Sequence, residues 1–363
     1  MNNDPRRYRL ADYLTRIAPY LPPELVSAAA LSRIQLIAQT LPPSFGTCLG
    51  CHLGANTAQV DFSVHLLDNT LGLAEGIQHS SVWQRIQQLC LDCANPNSRL
   101  GQEAVSIWLE FNLDREPSEM PIPNVFLSLP DGQSFDESGN SIDFRCWLTE
   151  KVIEPLLGDI LCYPLRQNLR LCWHTLPMNA QVLYLGVMLS RANRTLQVNI
   201  SGISPLVLAD YLEQTGWSGS RAKLDAIALK LYPLVDRIVV NLEIGVTMAN
   251  QISLECFVDR RLDKNAQWQP LLNYLVENQL CTPEKRDALL RCSGFGDEQS
   301  SPVLLPPNVR MDANFLGTRA SSSLVRELNH IELTLHSSNQ CSAKGFLWLG
   351  SDWRQKSVNS EKT

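Results

Sequence analysis

The apolar residues of this 363-residue chain follow two rhythms that trade places along its length. Near the start, segments at roughly 8–20 and 23–40 keep helical spacing. The second carries Leu25, Ile34 and Ile37 and stops before Pro42 and Pro43, which cannot continue a helix. FGTCLGCHLGANTAQVDFSVHLLD then alternates apolar and polar on both sides of Gly54, Ala55 and Asn56, which predicts a β-hairpin. A helix is predicted over 80–93, then a strand pair in VSIWLEFNLD and PNVFLSL. The spacing of Phe144, Trp147, Leu148, Val152 and Leu156 predicts a helix over 142–157.

The same order continues. LRLCWHT, VLYLGVMLS and TLQVNIS form a third set, in which LRLCWHT reads as an extra strand or a loop. A helix pair follows, with Ser204 as N-cap, Pro205 in the first turn and Gly216 as the stop; its second member spans about 221–232. DRIVVNLEIG and QISLECFVD make the fourth strand pair, followed by helices near 267–279 and 283–291, the latter capped by Thr282. Residues 293–327, rich in Ser, Pro and Gly, are expected to form a long loop or lid. HIELTLHS and KGFLWLG make the fifth pair, and the polar tail is expected to be disordered. The expected organisation is one α+β domain over 1–353 and a tail over 354–363.

Alternation of period two gives each strand an apolar and a wetter face. In QVDFSVHL the wetter face carries Gln59, Asp61, Ser63 and His65; in VSIWLEFNLD it carries Ser106, Trp108, Glu110 and Asn112. LRLCWHT offers Arg170, Cys172 and His174. Later strands offer Gln197 and Asn199, then Arg237, Asn241 and Glu243, then Glu255 and Phe257, then His330, Glu332 and His336, then Lys344, Phe346 and Trp348. Helices between the pairs can cover only the apolar face. Two architectures follow: about ten antiparallel strands in five pairs closed into a barrel, with helices outside and a polar lumen, or an open antiparallel sheet with helices on one face. Closure removes the edges that otherwise invite aggregation, and four aromatics on the polar face suit a lined cavity, so the barrel is preferred.

Charge and composition narrow the partners. A net charge of −6 and scattered Lys and Arg argue against nucleic acid or an anionic membrane surface. No apolar run approaches the length of a membrane span. Eleven cysteines and an N-terminus without an apolar export segment are expected of reduced thiols in a cytoplasmic protein. Cys48, Cys51 and His52 match the haem-attachment spacing C-x-x-C-H, and Cys90 and Cys93 repeat the C-x-x-C. Read as a strand, however, CLGCHLG sends Cys51 to the apolar face and Cys48 and His52 to the polar one. Cys90 and Cys93 end a helical segment, where small buried thiols are ordinary filling. There is no H-x-H, G-x-S-x-G, G-x-G-x-x-G or phosphate-binding loop, which disfavours cupin-type metal enzymes, serine hydrolases and nucleotide enzymes.

Repeated α-β-β-α units around a ten-stranded antiparallel barrel resemble the ABBA or PT-barrel prenyltransferases, over residues 23–350 and by topology alone. The resemblance implies a lumen that holds a prenyl diphosphate and an aromatic or peptide acceptor, with Mg²⁺ as a possible cofactor. On the lumen face, it implies that Arg170, Arg237 and Lys344 hold the diphosphate and that Trp108, Phe257 and Trp348 line the allylic cation site. It implies that Glu110 or Glu255 orients or deprotonates the acceptor. Asp61 and His65 join the same face as substrate-binding candidates. The charge balance departs from the family: Asp61, Glu110, Glu243, Glu255 and Glu332 outnumber the three cations. That excess suits Mg²⁺ binding, a cationic acceptor such as an Arg or Lys side chain, or a binding protein that recognises a cationic peptide without catalysis.

Overall fold

In a computed structural model of the chain, the described residues are 9–42, 44, 46–55, 59–66, 79–103, 106–113, 120–129, 139–258, 264–297, 320–338 and 340–355. The chain opens with α1 (Leu10–Ile17), a 3₁₀ turn and α2 (Ala28–Thr40), then β1 (Gly46–His52) and β2 (Val60–Leu66). Next come α3 (Ser81–Ala94), α4 (Arg99–Glu103), β3 (Ile107–Asn112) and β4 (Asn124–Ser128). A helical stretch follows: α5 (Gly139–Leu148), a π turn at Thr149–Ile153, α6 (Glu154–Leu157) and α7 (Tyr163–His174). The third hairpin is β5 (Gln181–Val187) and β6 (Leu196–Ser201), followed by α8 (Pro205–Gln214) and α9 (Arg221–Leu231). The fourth is β7 (Arg237–Ile244) and β8 (Met248–Phe257), followed by α10 (Lys264–Glu277), α11 (Pro283–Cys292) and the short β9 (Gly294–Asp297). The fifth is β10 (Ala320–Leu335) and β11 (Cys341–Gln355).

Ten of these strands close into an antiparallel barrel. Each of the five hairpins pairs with the next, and β11 returns to β1 from Gly46–Gly350 through His52–Lys344. β9 is an accessory strand on the Ser323–Arg326 part of β10. The outward strand residues, such as Leu49, Phe62, Leu109, Leu185, Val198, Leu254 and Leu347, share one continuous apolar core with the buried sides of the helices. Helices therefore cover the outside and leave the polar face to the lumen. The closed barrel, rather than the open sheet, is the architecture.

Local chemistry fixes the helix ends. The Ser204 and Thr282 hydroxyls accept from the Leu206 and Lys285 amides, as N-caps do, each contributing about 1 kcal/mol. Gly216 ends its turn at φ +86°, where a side chain would be strained. A bulge between Leu328 and His330 resets the alternation of β10. Leu328 and Ile331 thus both reach the core, and His330 turns inward.

Three expectations need correction. LRLCWHT is the second half of α7, whose Leu165, Leu169, Cys172 and Trp173 are buried at helical spacing. Seven residues of apparent alternation cannot separate the two rhythms, and Pro164 in the first turn favours the helix. The expected loop over 293–327 contains β9 at its start and the first residues of β10 at its end; 298–319 lies outside the described residues. The expected tail loses Arg354 and Gln355 to β11, while 356–363 lies outside the described residues. No described helix is long and apolar enough to cross a membrane.

Closure makes a quantitative prediction. Leu347, fully buried at the β1–β11 seam, should cost about 3 kcal/mol in denaturant unfolding when changed to Ala. The same change at Leu229, 67% exposed on α9, should stay within about 0.5 kcal/mol. Equal losses would mean that the seam is not packed.

Candidate functional site

Inside the barrel, the alternation of each strand delivers its polar residues to one chamber. Lys344 and Asp61, two strands apart across β1, meet with Nζ donating to Oδ2 at 2.7 Å. Glu332 stands directly opposite Lys344 on the neighbouring strand, with Oε1 3.9 Å from the same ammonium. His52 Nε2 lies 3.9 Å from Asp61 Oδ2. Burial alone would lower the lysine pKa, but Glu332, Asp61 and Glu110 together raise it, so Lys344 is held charged.

Glu332 also faces Glu255 across the β8–β10 pairing. Asn241 Nδ2 donates to Glu255 Oε1 at 2.7 Å and reaches Glu332 Oε2 at 3.5 Å. Asn199 Nδ2 donates to Glu255 Oε1 at 3.1 Å. Burial raises the Glu255 carboxyl to about 7, against the lowering effect of the Asn241 hydrogen bond. Glu332 and Glu110 push it up as well, and Arg237 pulls it down. Glu110 is likewise raised, first by burial and then by Asp61. Its Oε1 accepts from Asn124 Nδ2 at 3.1 Å, and Asn124 is fixed in turn by Ser190, whose amide and hydroxyl donate to Oδ1.

Aromatic rings line the same chamber. Phe257, His330 and Phe346 stack in a row at centroid separations of 4.9 and 4.2 Å, and the Arg237 guanidinium lies 3.9 Å from the Phe257 centroid. His330 is pushed down to about 3 by burial and by Arg237, so it is neutral at physiological pH. Trp108 stacks on His65 at 4.9 Å, and burial lowers the His65 pKa too. Trp348 pairs with Cys48 at the seam. Two glycines make space for rings: a Cβ at Gly50 would sit 2.9 Å from Phe346, and one at Gly186 would sit 2.6 Å from Phe126.

Of the residues singled out from the sequence, Glu110, Glu255, Arg237, Lys344, Trp108, Phe257, Trp348, Asp61 and His65 all lie on strands, on the lumen side of the alternation. Arg170 does not. It is exposed on α7, in a cleft of about 170 Å³ outside the barrel that it shares with Arg145, Arg166 and His174. The lumen thus loses one expected cation: among the described residues, Arg237 and Lys344 face the five acids from the strands, and Arg191 of the β5–β6 loop pairs with Glu243. Asn199 and Asn241 are legible as polar strand residues and Asn124 is not singled out, and nothing local in the sequence marks any of the three as a carboxylate partner. Their role comes from neighbouring strands.

The thiols follow the strand reading. Cys51 belongs to the outer core and Cys48 does not, so the two cannot share a haem or a metal. Burial pushes Cys48, Cys90 and Cys93 up to about 12, so each rests as a thiol. Among the described residues, no three His, Cys, Asp or Glu side chains converge on a metal-sized site.

No protein-family model matches the chain, and no curated protein does. Among solved structures, that of AnaPT from Neosartorya fischeri is similar at a TM-score of 0.42 and 13% identity, covering 84% of this chain and 78% of that one. The closed ten-stranded antiparallel barrel with outer helices, read from its own strand register, is the PT-barrel arrangement.

Glu255 gives this site a pH signature. Its folded pKa is raised, so between about pH 4.5 and 7 the folded state keeps a proton that the unfolded chain has released. Stability is then lost as pH rises through that window and levels off above it. Glu255→Gln removes the effect and keeps an oxygen for Asn241 and Asn199. Relative to the native protein, it should gain on the order of 3 kcal/mol between pH 5 and pH 8 in chemical denaturation. Parallel curves would contradict a raised Glu255.

Proposed function

We propose that the protein transfers an allylic group from a prenyl diphosphate to an acceptor held in the lumen, either an aromatic small molecule or a peptide side chain. The supporting observation is the arrangement of the chamber. A guanidinium lies against a row of aromatic rings, and paired carboxylates stand beside them. Arg237, the first residue of β7 at the end where helices join the strands, draws the diphosphate and stabilises it as it leaves. The faces of Phe257, Trp108 and Trp348 shield the allylic cation by cation–π attraction and keep water from it. Glu255, with a pKa near neutrality, takes the acceptor's proton, and Glu110 orients the acceptor. Lys344 has a different part: bound to Asp61 and Glu332, it holds the acidic side of the chamber together rather than holding phosphate.

A second reading, a binding or accessory protein that recognises a cationic peptide without turnover, is favoured by the excess of acids (Asp61, Glu110, Glu243, Glu255 and Glu332) over Arg237, Lys344 and the loop residue Arg191. One experiment separates the two. The protein is titrated calorimetrically with dimethylallyl and geranyl diphosphate, then incubated with each plus a panel of aromatic and peptide acceptors, with products followed by mass spectrometry. The transferase reading expects micromolar diphosphate binding, weakened ten- to a hundredfold by Arg237→Met, and a prenylated product. No diphosphate binding at millimolar concentration would sink it.

A further inference from the structure

The centre of the lumen has more hydrogen-bond acceptors than donors. Both Asn donors on Glu255 converge on one oxygen, Oε1; among the described residues, Oε2 accepts no hydrogen bond. Glu332, directly opposite, shares Asn241 Nδ2 at the long distance of 3.5 Å. Asn241 itself is 5% exposed, and its Oδ1 is buried without a hydrogen-bond partner among the described residues. A buried neutral acceptor left unmatched costs about 1–3 kcal/mol, and natural interiors seldom tolerate it without a ligand or water to complete it. The Asn side chain cannot be turned over to cure this, because its amino group already serves the two carboxylates.

Two carboxylates in cross-strand register, with an unmatched amide oxygen beside them, ask for a cation with several donors in a plane. From these features we propose that this centre binds a guanidinium, the side chain of an arginine-like acceptor, with its fork between Glu255 and Glu332 and a further N–H on Asn241 Oδ1. The proposal rests on the lumen being the ligand chamber and names the class of group it accepts. A guanidinium offers five donors in a fixed fork, whereas an ammonium is a compact point charge that prefers hydration. The lumen already carries one such contact, the Arg237 guanidinium 3.9 Å from the Phe257 ring centroid. A second guanidinium would find Phe346 and neutral His330 on the same row.

The charged and polar groups around Glu255 set the sign of the pH dependence. They are Cys48 on β1, Asp61 on β2, Glu110 on β3, Asn199 on β6, Arg237 and Asn241 on β7, His330 and Glu332 on β10, and Lys344 on β11. Asp61 and Lys344 offset one another. His330 stays neutral, burial raises Glu110 as well as Glu255, and Glu255 titrates near neutral pH. An entering cation replaces the proton on Glu255, so binding releases protons and tightens as pH rises through about 7.

The test is calorimetric titration of the full chain with N-acetylargininamide at pH 6 and pH 8, in buffers of different ionisation enthalpy. The neutral citrulline analogue, the lysine analogue and MgCl₂ serve as comparison arms. The expected result is binding about tenfold tighter at pH 8 than at pH 6, with proton release. The citrulline analogue should not bind, and the lysine analogue should bind at least tenfold more weakly. Glu255→Gln should abolish the pH dependence, and thermal melting checks that it folds. Should it not fold, Glu332→Gln is read for at least tenfold weaker binding. No uptake of the arginine compound at ten times the concentration that saturates diphosphate overturns the proposal and leaves the transferase reading standing. Equal binding of the lysine analogue, or competition by Mg²⁺ alone, also overturns it. Arginine binding without any diphosphate binding retains it and removes the transferase reading instead.

Discussion

The pairing of β11 with β1 is the constraint on which the rest of the molecule depends. It joins residues almost 300 positions apart along the whole of β1. Before that pairing forms, the sheet has two free edges and its polar face is simply wet. Afterwards, that face encloses a chamber and the apolar face has only the helices to pack on. A shift of β11 by one residue at the seam would send Leu347 inward and Lys344 out among the helices. Glycine at position 50 lets Phe346 approach the opposing backbone. The same device recurs at Gly186 with Phe126, so the lumen is shaped by rings seated on glycines as well as by strand number.

Once closed, the barrel faces an electrostatic problem. Asp61, Glu110, Glu255 and Glu332 share a space with Lys344 and Arg237, and carboxylates held in a poorly hydrated interior cannot all stay charged without partners. The structure meets this in three ways. Lys344 bridges Asp61 and Glu332; asparagines on β4, β6 and β7 donate to Glu110 and Glu255; and Glu255 keeps its proton up to about neutral pH. The solution is incomplete on the acceptor side, where Asn241 Oδ1 has no donor among the described residues. A chamber that is structurally closed but chemically unfinished is what a ligand-binding site looks like in physical terms.

Much of this was legible in the sequence, and the parts that were not share a cause. Alternation along a strand is a local property, so Val60, Phe62 and Val64 against Asp61, Ser63 and His65 could be sorted without coordinates. Five strand pairs separated by helices then led to the barrel. Arg170 was misplaced because LRLCWHT alternates by accident over seven residues, and the helical rhythm that overrides it needs Leu165 and Pro164 from further upstream. Asn199 and Asn241 were placed on the correct face, but their shared grip on Glu255 depends on strand register, which no single strand encodes. The bulge that turns His330 inward while keeping Leu328 in the core was likewise invisible, since an inserted residue leaves no compositional mark.

The account stands on Glu255 being a carboxyl that titrates near neutral pH inside an acceptor-rich chamber. Carboxyl ¹³C NMR of the glutamate-labelled protein, with the Glu255 signal assigned by its loss in Glu255→Gln, measures this directly. The account predicts a titration midpoint of about 7. A midpoint near the ordinary glutamate value of about 4.3 would mean that the chamber is open to water and neither closed nor crowded with charge, and would contradict it.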